Sequence, residues 1–312
     1  MSALIRAPLA CALADEHRGT VAVMGSLDGV HKGHQALLST AKELAAQKEA
    51  RVSAVTFEPH PRRIFQPDAP PFLLTTLEQK AALLERFGCA RVFALPFTEG
   101  LYTLLPEAFV QTVLCDILGL SGVVVGEDFR FGAQRSGDTE LLARAGAEHG
   151  IDVVTVGIQS DEGVRYSSTA ARQALREGRP DVAAQIMGRP FTVESEVLEG
   201  RRLARTLDYP TANMEMGDLI RPRYGVYAVR CRHEGRSHDG VANLGVRPTV
   251  DGETERLEVH LFDFEGDLYG KPLRVEFASF LREEETFSGL DALKAAIARD
   301  ADAARKALNP KR

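Results

Sequence analysis

Cysteines are few in this chain, and their spacing matches no metal-binding or disulfide pattern. The 312 residues include four, namely Cys11, Cys89, Cys115 and Cys231. No two of them form a C-x-x-C pair, so the sequence predicts neither a zinc site nor a disulfide framework. Free thiols are typical of a reducing compartment, and we therefore expect the protein in the cytoplasm.

Long hydrophobic runs and an excess of positive charge are also missing. No apolar stretch approaches the roughly 20 residues that a membrane-spanning helix needs, so no membrane partner is expected. The mildly apolar segment 1–14 is followed at once by Asp15 and Glu16, unlike a signal peptide. The formal net charge of -6 argues against nucleic acid as a partner. It leaves room for a local basic site that binds a phosphorylated small molecule.

Two halves with different patterns make up the chain. Its length favours two domains over one. Residues 1–185 alternate short apolar runs with amphipathic segments, which predicts an α/β domain with a Rossmann-like parallel sheet covered by helices. Residues 186–312 contain closely spaced apolar runs separated by Gly and Pro, which predicts a small antiparallel β-barrel. A helix over 290–308 ends the chain.

The individual elements follow from the apolar spacing. The strands predicted in the first half are Val21–Met24, Val52–Phe57, Arg91–Leu95, Gly122–Val125 and Val153–Val156. The helices predicted between them are Gln35–Lys48, Leu77–Phe87, Pro106–Leu118 and Thr139–His149. The second half is predicted to hold a short helix at Ala171–Gly178 and strands at Phe191–Leu198, Gly225–Arg232, Val241–Leu244, Leu257–Phe262 and Leu273–Phe280.

The decamer from Gly25 to His34, G-S-L-D-G-V-H-K-G-H, is the most informative segment. It lies between the first predicted strand and the first predicted helix. A glycine-rich turn at a helix start is where α/β proteins bind phosphate. His31 and His34 are three residues apart, so both can face the turn and donate hydrogen bonds to triphosphate oxygens. An ordinary tight turn with two surface histidines is the alternative.

Polar loops follow two other predicted strands. His60 lies between two prolines after the second strand, and Asp128, Phe129 and Arg130 follow the fourth. Because parallel strands end at the same edge of a sheet, we expect these loops to share one crevice with Gly25. Taken singly, the first is equally a stiff loop with a basic end, and the second a turn with core aromatics.

A fourth polar segment, Ser167-Ser168-Thr169, precedes a predicted helix that carries Arg172. Hydroxyls and backbone N–H groups at a helix start suit an anion, and Arg172 adds a full positive charge. A simple N-cap is the alternative.

Together these segments resemble the adenylyltransferase half of bacterial bifunctional riboflavin kinase/FAD synthetases. The resemblance runs through G-S-L-D-G-V-H-K-G-H-Q, T-F-E-P-H-P-R, V-G-E-D-F-R-F-G and S-S-T-A-A-R. It implies that the phosphate of FMN attacks the α-phosphorus of ATP, with Mg²⁺ assisting. It implies ATP contacts from Gly25, Asp28, His31, His34, Ser168, Thr169 and Arg172. It implies flavin contacts from His60, Asp128, Phe129 and Arg130.

Two segments of the second half resemble the flavokinase half of the same family. The segment 200–213 resembles its ATP loop, which implies ATP contacts from Gly200, Arg205 and Thr211. Thr211 and Asn213 alternate in an extended segment, so both can reach one Mg²⁺. Glu258 and His260 share the polar face of the strand L-E-V-H-L. The resemblance implies that Glu258 takes the proton from the riboflavin 5′-hydroxyl. It also implies a flavin contact from Arg282.

Five motif positions depart from the family pattern. Leu27 stands where Phe is usual and Ala170 where a basic residue is usual, which predicts weaker ATP or pyrophosphate binding. Ser195, Ala204 and Asp208 stand where Gly is usual, and a Cβ there hinders close approach of backbone to phosphate. Asp208 also adds negative charge near a triphosphate.

The sequence therefore leaves three functions open. The leading one is a bifunctional enzyme that converts riboflavin to FMN and FMN to FAD, acting as a monomer or weak homo-oligomer. The second is an FAD synthetase whose kinase-like half binds flavin without phosphorylating it. The third is another H-x-G-H nucleotidyltransferase, for example one that acts on a pantetheine or glycerol phosphate.

Overall fold

The computed structural model describes residues 3–161, 163–198, 211–249 and 252–309. It divides the chain into two compact units. The first consists of Met1–Pro70 and Thr75–Ser167, and the second of Pro71–Leu74 and Ser168–Arg312. The predicted division near residue 185 stays a prediction.

A six-stranded parallel sheet forms the centre of the first unit. Its strands are β1 Leu4–Arg6, β2 Val21–Met24, β3 Val52–Glu58, β4 Arg91–Pro96, β5 Gly122–Gly126 and β6 Asp152–Val156. They lie in the order β1-β4-β3-β2-β5-β6. The five predicted strands are confirmed to within one residue at each end. Strand β1 was not predicted, because three residues are too few for a periodicity to be read.

Both faces of this sheet are covered, as is usual for parallel sheets. Val21 and Val23 belong to one buried apolar cluster, whereas Ala22 and Met24 belong to another. The helices of this unit are α1 Lys32–Gln47, α2 Pro61–Phe65, α3 Leu77–Arg86, α4 Glu99–Tyr102, α5 Pro106–Ala108 and α6 Thr139–Glu148. After α5 the chain continues as a π-helical segment, Phe109–Ile117. A two-stranded hairpin, β7 Ser160–Asp161 and β8 Val164–Arg165, follows β6.

Three of the helix predictions need correction, one of them in the second half, where the helix predicted at Ala171–Gly178 runs from Ser168 to Arg176. Helix α1 begins at Lys32, not at Gln35, and His31 is its N-cap. The predicted helix Pro106–Leu118 is α-helical for its first three residues only and then widens to a π-helix. The buried side chains of this segment recur three and four residues apart, as in an α-helix, so apolar spacing did not reveal the change; they are Phe109, Val110, Val113, Leu114 and Ile117.

An antiparallel barrel forms the second unit. Two helices come first, α7 Ser168–Arg176 and α8 Pro180–Met187, of which α8 was not predicted. The strands are β9 Phe191–Glu196, β10 Ala212–Met214, β11 Gly225–His233, β12 Arg236–Thr249, β13 Gly252–Leu261 and β14 Pro272–Arg282. They lie in the order β10-β13-β12-β11-β14-β9. The Leu198 amide donates to the Asn213 carbonyl at 2.8 Å, so the two edges of the sheet meet.

The last element, α9 Leu290–Leu308, matches the predicted terminal helix. Its residues Ala301, Ala304 and Leu308 pack on Val226 and Ala228 of the barrel. The predicted fold class, a Rossmann-like α/β domain followed by an antiparallel β-barrel with a C-terminal helix, is confirmed. In the part of the chain that the structure describes, no helix combines the length and the apolarity needed to cross a membrane.

Candidate active sites

A cavity of about 220 Å³ lies at the carboxyl edge of the parallel sheet. The strand order reverses between β2 and β5, and ligands of α/β proteins bind beyond the strand ends at such a point. The residues that line the cavity include Gly25, His31, His34, Gly126, Asp128 and Phe129. The structure therefore brings together the predicted loops after β2 and β5.

Two stacked imidazoles form one wall of this cavity. The ring centroids of His31 and His34 are 3.6 Å apart, and the ring planes differ by 24°. His31 is the N-cap of α1, and His34 lies in its first turn. The unsatisfied N–H groups and the positive end of the dipole of a 16-residue helix attract anions. The position suits the phosphates of a nucleotide.

The loop between β2 and α1 holds a strained backbone. Leu27 has a φ of 49° and Val30 a φ of 39°, both in the left-handed region that non-glycine residues avoid. Both side chains are buried in an apolar cluster. The side-chain amide of Gln35 donates to the Val30 carbonyl at 2.9 Å. Packing and hydrogen bonds from outside the loop therefore maintain its shape.

Asp28 supports this loop from beneath. Its side chain is 1% exposed, and its Oδ1 accepts hydrogen bonds from the amide and the hydroxyl of Thr75, both at 3.1 Å. The Thr75 hydroxyl in turn accepts from the Gly29 amide at 3.1 Å. Asp28 is not among the described residues that line the cavity. The geometry is that of a loop support, and its contact with ATP stays a prediction.

The loop after β3 is built differently from the loops after β2 and β5. His60 is the N-cap of α2, and its Nδ1 accepts from the Arg62 amide at 3.1 Å. His60 is not among the described residues that line the cavity, and its predicted flavin contact stays a prediction. The Arg130 guanidinium is exposed and donates to the Phe129 carbonyl at 2.8 Å.

Sequence reasoning missed the contribution of the hairpin β7–β8 to the cavity. Arg165 and Tyr166 line it, and the Arg165 guanidinium lies 2.7 Å from the Asp128 carboxylate. Lys32 Nζ donates to the Tyr166 hydroxyl at 3.4 Å. A short polar hairpin has no apolar periodicity. The available signal was its position directly before the predicted Ser-Ser-Thr segment.

An aromatic patch at the same edge of the sheet was also missed. It consists of Phe57, Phe65, Phe97 and Tyr102, whose neighbouring ring centroids lie 5.3 to 5.8 Å apart. Phe65 is 62% exposed. The other three rings are half-buried, so the exposed Phe65 ring, supported by them, offers a surface for another flat ring.

Gly33 has little free space on either side. A Cβ on Gly33 would lie 3.0 Å from the His31 ring and 3.0 Å from the Tyr166 carbonyl. Replacing Gly33 by Ala is therefore expected to displace the His31 ring and to lower the FMN adenylylation that the resemblance implies by about tenfold. Steady-state kinetics with FMN and ATP measure the effect. A Cβ on Gly100 would meet nothing closer than 4.0 Å, and a Gly100→Ala variant is the matched control. FAD formation equal to that of the wild type would contradict the prediction.

In the second unit, Glu258 lies between two asparagines on neighbouring strands. It is in register with Asn213 of β10 on one side and with Asn243 of β12 on the other. Residues in register on adjacent strands present their side chains on the same face. Leu257 and Val259 are fully buried on the opposite face, as the predicted alternation requires. An Asn-Glu-Asn row thus crosses the sheet.

Asn213, one of the two predicted metal ligands, is the first residue of this row. The other, Thr211, lies two residues before it in the chain. Thr211 is half-buried, and Asn213 is buried. Among the described residues, no group of three or more His, Cys, Asp or Glu side chains is arranged to hold a metal ion. Gly200 and Arg205, predicted to contact ATP, and the departures Ala204 and Asp208 lie outside the described residues.

Arg282 and Asp300 form a two-point ion pair. The Arg282 guanidinium donates to the two carboxylate oxygens of Asp300 at 2.8 and 2.7 Å. These hydrogen bonds raise the pKa of Arg282. The pair joins β14 to α9, so the charged end of Arg282 has a structural partner. Its predicted flavin contact stays a prediction.

Ser168 and Thr169 lie within the first turn of α7, not before it. Arg172, on the same helix, donates from Nε to the Phe72 carbonyl at 2.7 Å. Both partners belong to the second unit. Ser195, one of the departures at a usual glycine, lies in β9 opposite Leu273. An extended strand accommodates a Cβ without backbone strain.

Comparisons with known proteins match both units. A family model described as FAD synthetase matches residues 13–170, and one described as riboflavin kinase matches residues 187–308. A bifunctional riboflavin kinase/FMN adenylyltransferase of Pseudomonas fluorescens is 44% identical over 299 residues, covering 96% of each chain. A protein of the same name from Escherichia coli K12 is 40% identical over 289 residues, covering 92% of each chain.

A solved structure has the same fold over nearly the full length. It is titled a macrolide-efflux protein from Streptococcus pneumoniae and superposes with a TM-score of 0.86 at 28% identity. The superposition covers 97% of this chain and 98% of that one.

Proposed function

Because the chain belongs to the family of bifunctional riboflavin kinase/FMN adenylyltransferases, we propose that each unit carries one of two consecutive reactions. The second unit transfers the γ-phosphoryl group of ATP to riboflavin, which gives FMN and ADP. The first unit transfers the adenylyl group of another ATP to FMN, which gives FAD and pyrophosphate. The observation that carries this proposal is that the cavity with His31 and His34 lies within residues 13–170, which match FAD synthetase, and that Glu258 with its flanking asparagines lies within residues 187–308, which match riboflavin kinase.

Adenylyl transfer in the first unit needs positioning and charge stabilisation. A phosphate oxygen of FMN attacks the α-phosphorus of ATP, and the bond to the pyrophosphate leaving group breaks. His31 and His34 stand at the start of α1, where their N–H groups and the helix dipole stabilise the charge that develops on pyrophosphate. No covalent enzyme intermediate is required. A bound Mg²⁺ supplies further neutralisation of the phosphate charge.

For the flavin ring of FMN we propose the aromatic patch Phe57, Phe65, Phe97 and Tyr102. The exposure of Phe65 and the location of the patch at the carboxyl ends of β3 and β4 support this assignment. The isoalloxazine ring is flat and aromatic with one apolar end, and offset or edge-on aromatic contacts contribute about 0.5–1.5 kcal/mol each beyond area burial. His60, Asp128, Phe129 and Arg130 are the predicted polar and apolar neighbours of the flavin.

Riboflavin phosphorylation in the second unit needs a base for the 5′-hydroxyl proton. Glu258 supplies the carboxylate, and the hydroxyl oxygen then attacks the γ-phosphorus as ADP leaves. Asn213 and Asn243 flank Glu258 and present amide groups on the same face. The Thr211 hydroxyl and the Asn213 amide oxygen are hard oxygen donors of the kind that Mg²⁺ takes together with phosphates and water. These two residues would hold the Mg²⁺ of the kinase site.

A product time course from riboflavin, ATP and Mg²⁺ tests the proposal. Chromatography is expected to show FMN rising first and FAD following, with ADP formed along with FMN and pyrophosphate along with FAD. If FMN is converted to FAD but riboflavin stays unchanged, the second unit binds flavin without phosphorylating it. If neither flavin reacts, the first unit is a nucleotidyltransferase with a different substrate. Either of these outcomes would overturn the bifunctional assignment.

A further inference from the structure

A buried lysine lies beneath the loop that leads to His31. Lys80 belongs to α3 and is 3% exposed. Burying a charged group is costly unless the group is hydrogen-bonded and paired with opposite charge. Nothing in the motifs of this chain assigns a role to Lys80, so its burial needs a reason in the structure around it.

The Lys80 ammonium joins two parts of the first unit. Nζ donates to the Ser26 carbonyl at 2.8 Å and to the Thr56 hydroxyl at 3.0 Å. The Thr56 hydroxyl donates to the same Ser26 carbonyl at 3.0 Å. Thr56 is fully buried in β3. The three groups therefore form a closed triangle that fixes the Ser26 carbonyl against the sheet.

Carboxylates near Lys80 offset part of the cost of burying it. Burial lowers the pKa of Lys80, whereas the carboxylates of Asp28 and Glu58 raise it. Asp28 is also the group that binds Thr75 beneath the loop. The loop 25–30 is thus supported by two buried side chains, by Lys80 through the Ser26 carbonyl and by Asp28 through Thr75.

The position of Ser26 explains why this support matters. Ser26 directly precedes Leu27, the first of the two non-glycine residues with a left-handed backbone. A strained conformation of this kind persists only where the surroundings determine it. The loop ends at His31, four residues after Leu27. A change in the position of the Ser26 carbonyl is therefore expected to move the start of α1 and both imidazoles.

We infer that Lys80 is a positioning residue for adenylyl transfer, which holds the loop 25–30 in the conformation that places His31 and His34 at the cavity. This inference rests on the proposed adenylyl transfer in the first unit. Lys80 acts through the Ser26 carbonyl and does not touch the substrate. Its loss must therefore weaken the binding and orientation of ATP as well as the rate.

The test is a Lys80→Met variant of the full chain. Methionine keeps an apolar stem of similar length but removes the three ammonium donors. The KM for ATP in FAD formation from FMN is expected to rise by about tenfold, together with a fall in kcat. A mere loss of folded protein would lower the apparent kcat but leave KM unchanged. Riboflavin phosphorylation by the same preparation, carried by the other unit, is expected to stay at the wild-type level.

Lys48→Met is the matched control. Lys48 lies at the C-cap of α1 and pairs with Asp152 at 2.7 Å, so the same substitution removes an ion pair far from the loop. Its KM for ATP should equal that of the wild type. A Lys80→Met enzyme with wild-type KM and kcat would overturn the inference.

Thr56→Val keeps the test decisive if Lys80→Met does not fold. Valine retains the shape of threonine but removes the hydroxyl that Lys80 and Ser26 share. A raised KM for ATP in Thr56→Val supports the inference. Where Lys80→Met does fold, the effects of the two substitutions in a double variant should be less than additive, because both residues act through one network. A wild-type KM in Thr56→Val refutes it. FMN that gives no FAD with the wild-type chain would instead contradict the proposed function, and this is measured first.

Discussion

Replacing Glu258 by Gln is expected to lower riboflavin phosphorylation by about 10²–10⁴-fold, the usual contribution of a general base. Glutamine has nearly the same shape as glutamate, but its amide does not accept the proton of the riboflavin 5′-hydroxyl. A loss of about 10³-fold corresponds to about 4 kcal/mol of transition-state stabilisation. FAD formation from added FMN should stay at the wild-type level, because the first unit is unchanged.

Two separate assays measure this prediction, one with riboflavin and ATP and one with FMN and ATP. Glu194→Gln is the matched control, since Glu194 is an exposed residue on β9 of the same barrel. The control should keep both activities. Phosphorylation by Glu258→Gln at the wild-type rate would exclude Glu258 as the base. Loss of both activities would contradict the assignment of one reaction to each unit.

Replacing His34 by Ala is expected to impair the other reaction, the formation of FAD, and to spare riboflavin phosphorylation. FAD formation from FMN should fall by about 10²–10³-fold, as when one preorganised donor to a developing charge is removed. His34 lies in the first turn of α1, and its ring stacks on His31 at 3.6 Å, so the second imidazole also loses a neighbour that orients it. Riboflavin phosphorylation should be unaffected.

His149→Ala serves as the control for this variant. His149 is the C-cap of α6 and is not among the described residues that line the cavity. The kinetics of FMN adenylylation and of riboflavin phosphorylation are measured for both variants. Wild-type adenylylation by His34→Ala would refute the phosphate-stabilising role of His34. A loss of similar size in His149→Ala would show that the effect is not specific to the cavity.

A mixture of the two catalytic variants provides an additional readout of these assignments. Glu258→Gln alone and His34→Ala alone should each form little FAD from riboflavin. Together they should form it readily, because His34→Ala releases FMN that Glu258→Gln adenylylates. The rate should rise with the concentration of either protein, since FMN passes through solution.

The pattern of apolar, glycine and polar residues along short segments was sufficient to predict most of the secondary structure. It also predicted His31 and His34 for one site and Glu258 for the other. Five strands of the parallel sheet follow from apolar runs such as Val21–Met24, and a helix after the glycine-rich turn was predicted, although it begins at Lys32 and not at Gln35. The alternation of Glu258 with Leu257 and Val259 is likewise visible in the sequence, because side chains of a strand alternate between faces. All of these signals extend over a few neighbouring residues.

The tertiary structure decided which distant residues support these motifs. Lys80 meets Ser26 and Thr56 only because α3 packs beside the ends of β2 and β3. Asp28 likewise meets Thr75, the residue before the N-cap of α3, and its predicted contact with ATP stays a prediction. Long-range hydrogen bonds of this kind leave no periodicity in the sequence.

Strand register similarly decided the neighbours of Glu258. The sequence by itself determined that Glu258 lies on the polar face of a strand, because that depends on alternation alone. Which side chains lie beside it depends on how β13 pairs with β10 and β12, and a slip of one residue would replace both asparagines. Pairing is a property of the folded sheet, so only the tertiary structure placed Asn213 and Asn243 on either side of the base.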